Sequence, residues 1–279
     1  MNELIILIQC SDEVGLVTKI TQVLASNNLN IISMHEYVDT HNKKFFTRIA
    51  CRGDDLQEEP FKIEMSEKLP HGAVITIVVQ QLKKIAVLVT KDYHCLGDIL
   101  VRNQFKTLGA QVQCVIGNYS YLQEVTQQFS VPYFHISHHE KDKQEFETEI
   151  RNVIDQFDID FIVLAKFMRI LSPEFVENYT KKIINIHHSF LPAFVGANPY
   201  KQAFDRGVKI IGATAHFVTN NLDEGPIITQ HTASIDHTYG VKEMIRRGRE
   251  TEKAVLLEAL QLVFEDRVFI SGNKTIVFK

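Results

Sequence analysis

Between residues 85 and 186, strand-length apolar runs and helix-like stretches take turns, and this alternation constrains the fold more than any other feature. The runs are 85–90, 111–116, 131–135, 161–165 and 183–186. The stretches between them centre on 99–107, 121–129, 143–156 and 173–179. Such alternation implies a Rossmann-like, doubly wound α/β domain with a parallel sheet. Ligands in such sheets bind beyond the carboxyl ends of the strands. Farther on, residues 241–264 read as helix with a break at Gly248, and 267–270 and 275–278 flank 271–274 as a terminal hairpin.

The first eighty residues have a different rhythm. Strand 4–10, helix 15–27, strands 30–38 and 45–51, helix 55–68 and strand 74–80 spell βαββαβ, a ferredoxin-like order. Only residues 80–84 form a polar link between strand-like runs, so the expected domains are 1–84 and 85–279. A chain of 279 residues that is 45% hydrophobic can build two cores.

Charge and cysteine usage exclude several classes of function. The net charge is −4 and the basic residues are scattered, which leaves no surface for nucleic acid. No stretch nears membrane-spanning length, and the opening residues lack the regions of a signal peptide. Cys10, Cys51, Cys95 and Cys114 show no Cys-x-x-Cys spacing, which fits free thiols in a reducing compartment, so a cytoplasmic location is expected. There are twelve histidines, but adjacent ones on a strand point to opposite faces and no His-Glu-x-x-His pattern occurs; no metal is expected.

Chemistry concentrates where a buried run ends. In Asn185-Ile186-His187-His188-Ser189-Phe190-Leu191-Pro192, residues two apart on a strand share a face, so Asn185 and His187 project together. An amide donor beside an imidazole can hold a developing oxyanion and handle a proton. The bland alternative is a strand end whose polar groups merely cap backbone. Asp223 falls in a turn, Asp223-Glu224-Gly225-Pro226, where a carboxylate commonly just shapes the turn. Residues 214–218 alternate like a strand, with His216 read as a packed histidine. In the segment 165–173, Ser172 reads as a helix N-cap with Pro173 at the first helical position.

Asn185, His187 and Asp223, with the segments around them, resemble the Asn-His-Asp constellation of the folate-dependent formyltransferases. The likeness extends to 165–173, 192–200 and 207–214 and covers most of the chain beyond Lys84. It implies folate contacts from Phe167, Met168, Arg169, Ile170 and Leu171, which would line the pterin pocket, and from Ser189, Val218, Asn220 and Asn221. The first strand–turn–helix departs from the ribonucleotide-using transferases, which carry a Gly-Ser-rich loop there. This chain has Lys91-Asp92-Tyr93-His94-Cys95-Leu96-Gly97-Asp98, in which Asp92 and Asp98 would repel a phosphate. That string resembles the hydrolytic branch, the formyltetrahydrofolate deformylases, and the N-terminal pattern is similar to ACT domains.

The resemblance implies hydrolysis of 10-formyltetrahydrofolate to formate and tetrahydrofolate with no added cofactor, the formate supplying purine biosynthesis and the reaction balancing one-carbon pools. In it Asn185 would donate to the oxyanion, His187 would stabilise that oxyanion and assist proton transfer, and Asp223 would orient His187 and the water, with the water's proton going to either His187 or Asp223. It also implies an amino-acid effector near Asp12, Gly15, Asn28 and Asn30, and a homo-oligomer paired through ACT sheet edges. For Asp12 and Gly15 ordinary helix-entry chemistry remains the alternative reading. Two other functions stay open: formyl transfer onto a small amine, and an amino-acid-sensing regulatory protein whose catalytic domain has decayed.

Overall fold

The computed structural model describes residues 2–53, 56–79, 81–193 and 199–279. Its chain divides into two units, Leu82–Val277 and, with the first 81 residues, Phe278–Lys279.

The first unit runs β1 (Asn2–Ser11), α1 (Leu16–Ser26), β2 (Asn30–Asp39), β3 (Lys44–Gly53), α2 (Glu58–Lys68) and β4 (Val74–Val79). Its antiparallel sheet has the order β2-β3-β1-β4. Alternate residues of β1, namely Leu4, Ile6, Ile8 and Cys10, bury against Ile20 and Leu24 of α1 and Phe61 and Met65 of α2. This two-residue period buries one face of the sheet beneath two helices. Gly15 introduces α1 with φ of 90°, a left-handed conformation that glycine adopts without steric cost. The expected start of α2 at residue 55 and the expected end of β4 at residue 80 lie outside the described residues.

The second unit contains β5 (Lys83–Val89), α3 (His94–Gln104), β6 (Ala110–Gly117), α4 (Gln123–Gln128), β7 (Tyr133–His135), α5 (Lys143–Ile154), β8 (Phe161–Leu164), α6 (Pro173–Asn178) and β9 (Ile183–His187). After these come α7 (Pro199–Arg206), β10 (Ile210–Phe217), β11 (Ile227–Ser234), α8 (Val241–Phe264), β12 (Val268–Ser271) and β13 (Lys274–Val277). Seven strands form one sheet in the order β11-β10-β9-β8-β5-β6-β7. Strands β5 to β9 are parallel, whereas β10 and β11 pair antiparallel, so the sheet is mostly parallel and not wholly so. Residues of β5 alternate between two cores. Ile85, Val87 and Val89 pack with Leu96 and Leu100 of α3 and Val255 and Leu260 of α8, while Ala86 and Leu88 pack with Ile150 of α5 and Phe175 of α6. A strand covered on both faces reads as a continuous apolar run, which is why these runs were visible in the sequence.

Three details differ from the sequence reading. Lys83 and Lys84 pair with Ala110 and Gln111 and so join the second unit, while the ring of Phe278 meets that of His35 edge-on at 6.1 Å in the first. α8 runs unbroken through Gly248, whose lack of a side chain serves packing: a Cβ there would stand 2.1 Å from the Tyr200 hydroxyl. The alternating strand expected at 214–218 is longer, and its residues Thr214 and His216 sit opposite His187 and Asn185. Strand order reverses between β8 and β5, which opens a crevice at their carboxyl ends.

Candidate active site

A cleft of about 590 Å³ lies at those carboxyl ends, and Asn185, His187 and Asp223 all line it. Asn185 and His187 project from β9 together. Asp223 comes from the turn between β10 and β11, with its backbone left-handed at φ of 56°. Gly225 lets that turn close, because a Cβ would lie 1.8 Å from the Phe217 carbonyl oxygen. His187 Nδ1 stands 3.3 Å from one Asp223 oxygen, and His216 Nε2 stands 3.7 Å from the other. Burial would raise the Asp223 pKa, but the hydrogen bond from His187 outweighs it and holds the carboxyl far below its ordinary range.

His216 fixes the amide. Its Nδ1–H meets the Phe217 carbonyl at 2.9 Å, so its Nε2 accepts from Asn185 Nδ2 at 3.2 Å. One amide hydrogen of Asn185 is thereby engaged and the other is free for a ligand in the cleft. The packed histidine of the sequence reading is the residue that orients the oxyanion donor.

A second constellation on the same cleft was not anticipated. Glu252 of α8, 1% exposed, accepts from His94 Nε2 at 2.8 Å and Tyr200 at 2.5 Å and lies 3.2 Å from Lys166. Burial pushes the Glu252 pKa up, but His94, Lys166 and Tyr200 together bring it down to about 2, so it is a carboxylate. Lys166 itself adopts φ of 64°, uncommon for a long side chain and worth noting at a site. His188 lies between the groups, its ring 5.2 Å from that of His187 and 6.3 Å from that of Tyr200. Burial and then Lys166 lower its pKa to about 4. Nothing in the local sequence joins His94 to Glu252; the available signals are one imidazole at the start of α3 and one carboxylate far along α8.

The expected folate contacts divide. Phe167, Met168, Arg169, Ile170, Leu171, Val218 and Asn220 line the cleft. Met168 and Ile170 are more than half exposed, and the Met168 amide is held by Thr90 Oγ1 at 2.9 Å. Behind them Ser172 caps α6 by accepting from the Phe175 amide at 3.1 Å, and buried Glu147 holds Ser172 in turn. Ser189 and Asn221 do not line the cleft. The Ser189 hydroxyl is spent on the Ala193 carbonyl at 2.8 Å, and Asn221 faces outward on the turn.

Asp92 and Asp98, expected to repel a phosphate, are both neutralised. Asp92 pairs with Arg249 at 3.3 Å and Asp98 with Arg102 at 3.0 Å, so neither is a free repelling charge. A neighbouring groove of about 430 Å³ between α3 and α8 carries Lys242, Arg246, Arg249 and Lys253. Among the described residues the donor atoms of His94, Cys95 and Glu252 come within 4.8 Å of one another, as a metal site would require. The Lys166 ammonium occupies the same Glu252 oxygen and opposes a cation there. The four residues expected around an effector are all exposed, but Asp12 and Gly15 lie before α1 and Asn28 and Asn30 after it. Eleven helical residues, about 16 Å, separate the two pairs, so one chain does not bring them together. All four cysteines are buried and unpaired, and no helix of the described residues is long and apolar enough to cross a membrane.

Comparison with known proteins agrees with both units. The family described as Formyl transferase matches residues 83–260, and that described as ACT domain matches residues 4–59. Formyltetrahydrofolate deformylase of Haemophilus influenzae is 46% identical over 273 residues, covering 98% of both chains. The crystal structure of a formyltetrahydrofolate deformylase from Pseudomonas syringae pv. tomato superposes with a TM-score of 0.95 at 37% identity, covering 100% of this chain and 95% of that one. Glycinamide ribonucleotide transformylase 1 from Symbiobacterium toebii superposes with a TM-score of 0.68 at 29% identity, covering 71% of this chain and 95% of that one.

Proposed function

The chain belongs to the formyltetrahydrofolate deformylase family, and on that premise we propose that this enzyme hydrolyses 10-formyltetrahydrofolate to formate and tetrahydrofolate in the cleft of its second unit. The observation that carries the reading is the convergence of Asn185, His187 and Asp223 on one cavity, with the free amide hydrogen and a free imidazole nitrogen both available to a carbonyl. The pterin is held along Met168–Leu171 by main-chain groups on a rigid strand-to-helix junction, and folate is the carrier of the formyl group. Asn185 donates to the formyl oxygen as charge develops there, in a site where a preorganised donor needs no reorganisation. In its protonated form His187 shares that oxyanion through Nε2–H and passes that proton to the departing nitrogen. Asp223 fixes the His187 ring with its Nδ1–H toward the carboxylate, leaving Nε2 to act.

The first unit supports an amino-acid effector, and because its four expected residues lie at both ends of α1, we assign that effector to an interface between copies of the chain. Unpaired buried thiols support a cytoplasmic setting, in which the released formate would serve purine synthesis. A rival reading, transfer of formyl to an amine, draws on the basic groove beside the cleft and on the likeness of the second unit to the transformylase. Incubation with 10-formyltetrahydrofolate alone separates the two. Equal amounts of formate and tetrahydrofolate without any amine are expected; product formation that waits on an added amine sinks the hydrolytic reading.

A further inference from the structure

An enzyme that gives a formyl group to water must withhold it from amines, which are stronger nucleophiles, and selectivity of that kind calls for an obstacle as well as a fit. The cleft and the basic groove beside it are separate cavities of about 590 and 430 Å³, and the residues that line both are His94, Ile245 and Arg249. We propose that these three side chains form a specificity wall, which keeps amines carrying an anionic group, gathered in the groove, from the formyl group in the cleft. This inference rests on the hydrolytic reading of the cleft.

The groove has the charge to gather such molecules. Lys242, Arg246, Arg249 and Lys253 follow along α8 at intervals of four, three and four residues, which aligns them on one helix face. Arg249 is paired with Asp92 at 3.3 Å and Lys253 with Glu250 at 2.6 Å. Lys242 and Arg246 are exposed and have no ion pair among the described residues, so the groove stays positive. Ile245, Arg249 and Glu252 lie on the adjoining face of the same helix, and all three line the cleft. One edge of α8 therefore divides a basic surface from the site of the chemistry.

The wall is braced from behind. Glu252 holds His94 at 2.8 Å, with the two side chains 1% and 5% exposed, and is itself held by Tyr200 and Lys166. Gly248 leaves the room that Tyr200 needs to reach it. Lys166 joins the brace from a left-handed backbone, a strain that persists where the surroundings over-determine it. Side chains locked by such partners keep their rotamers, as a steric barrier requires. With folate lying over the exposed Met168 and Ile170, the side of α3 and α8 is the approach that remains for an acceptor. The same cavity holds Asn185, His187 and Asp223, so an amine that crossed the wall would enter the space of the formyl group. Its nitrogen would bond the formyl carbon and lose a proton. The C–N10 bond would break with its electron pair left on N10, which takes a proton, giving a formamide and tetrahydrofolate in place of formate and tetrahydrofolate.

The test reads a ratio and so does not depend on overall turnover. The full chain is given 10-formyltetrahydrofolate with aminoethyl phosphate or its longer homologues, and formamide and formate are both measured. The parent should make formate alone. His94→Ala combined with Ile245→Ala removes two side chains of the wall, leaves Glu252 its Lys166 and Tyr200 partners, and keeps the basic face of α8. It should raise the ratio of formamide to formate at least about tenfold for one or more homologues. Where the double variant does not fold, Ile245→Ala alone should raise the ratio roughly threefold. An unmoved ratio in a variant that folds and binds folate, or a parent that already makes formamide, overturns the proposal. Equal formamide from amino alcohols of the same length, which carry no phosphate, overturns the part given to the groove. An active parent with an unmoved ratio in the variants defeats the wall alone, whereas a parent that releases no formate defeats the hydrolytic reading and the wall with it.

Discussion

The two carboxylate–imidazole pairs on the cleft are alike in chemistry and opposite in construction. Asp223, 15% exposed, hangs from a turn with left-handed backbone and faces a strand end. Glu252 and His94, 1% and 5% exposed, join two helices and share their charge with Lys166 and Tyr200. The turn pair loses its charge at smaller cost, because Asp223 is partly exposed and no second cation is left beside it. Removing Glu252 from the helix pair leaves the buried Lys166 ammonium uncompensated, typically a loss of about 3–5 kcal/mol. In the first pair, then, chemistry and stability are separable, and in the second they are coupled.

The largest expected effect tests that separation. Asp223→Asn keeps the size and much of the turn chemistry while removing the charge that orients His187. Turnover should fall about 10³–10⁴-fold, with the thermal midpoint moving by less than ~3 °C. A variant that unfolds, or one that stays active, would put Asp223 back among residues that merely shape a turn. Next in size is Asn185→Ala, which removes the amide aligned by His216. It should cost about 10²–10³ in formate release and leave folate affinity nearly intact. A weakened affinity with unimpaired turnover would show that Asn185 binds and does not stabilise charge.

The difference between the pairs also explains what was legible beforehand. Asn185 and His187 stand two apart on a strand, and Asp223 sits in a Gly-Pro turn, so local rules of period and turn chemistry bring them into view. His94 and Glu252 are separated by 158 positions and sit on helix faces; only the packing of α3 against α8 brings them together. The parallel strands were readable because burial on both faces makes their runs continuous. β10, between β9 and β11, and β11, at the sheet edge with polar residues such as Thr229 and Gln230 between apolar ones, gave no clue to their antiparallel placement. Gly248 was misread because a glycine in a helix marks a break or a close contact, and the contact, the Tyr200 hydroxyl, comes from another helix.

A smaller effect concerns His188, which lies between the pairs. With its pKa lowered to about 4 by burial and Lys166, the folded ring stays neutral as pH falls below 6.5 while the unfolded ring gains a proton. The unfolded state then binds more protons, so stability declines as pH drops from 6.5 to 4, by roughly 1–3 kcal/mol after allowing for partial exposure. Glu252 adds a second decline below pH 4.5 as its carboxylate, held down to about 2, is titrated. Thermal melts of the parent and of His188→Asn across pH 3–8 should differ in slope only in the upper window. Parallel curves there would mean that the ring is as readily charged in the fold as outside it.

The smallest effects belong to the two residues that resemblance placed on the folate and geometry did not. Ser189 is 3% exposed and its hydroxyl is committed to the Ala193 carbonyl, so Ser189→Ala should cost about 1 kcal/mol of stability and leave KM within ~2-fold. Asn221 is exposed and off the cleft wall, and its replacement by alanine should change stability by less than ~0.5 kcal/mol and KM hardly at all. Asn220, one residue earlier, does line the cleft and donates to Glu177 at 2.9 Å, so Asn220→Ala provides the contrast, with KM raised about threefold to tenfold for the loss of one polar contact. Steady-state kinetics on the three variants decides the matter. A KM raised tenfold by Ser189→Ala or Asn221→Ala would mean that the turn swings inward when folate enters, and that the separation of chemistry from stability drawn for Asp223 holds for the unliganded cleft alone.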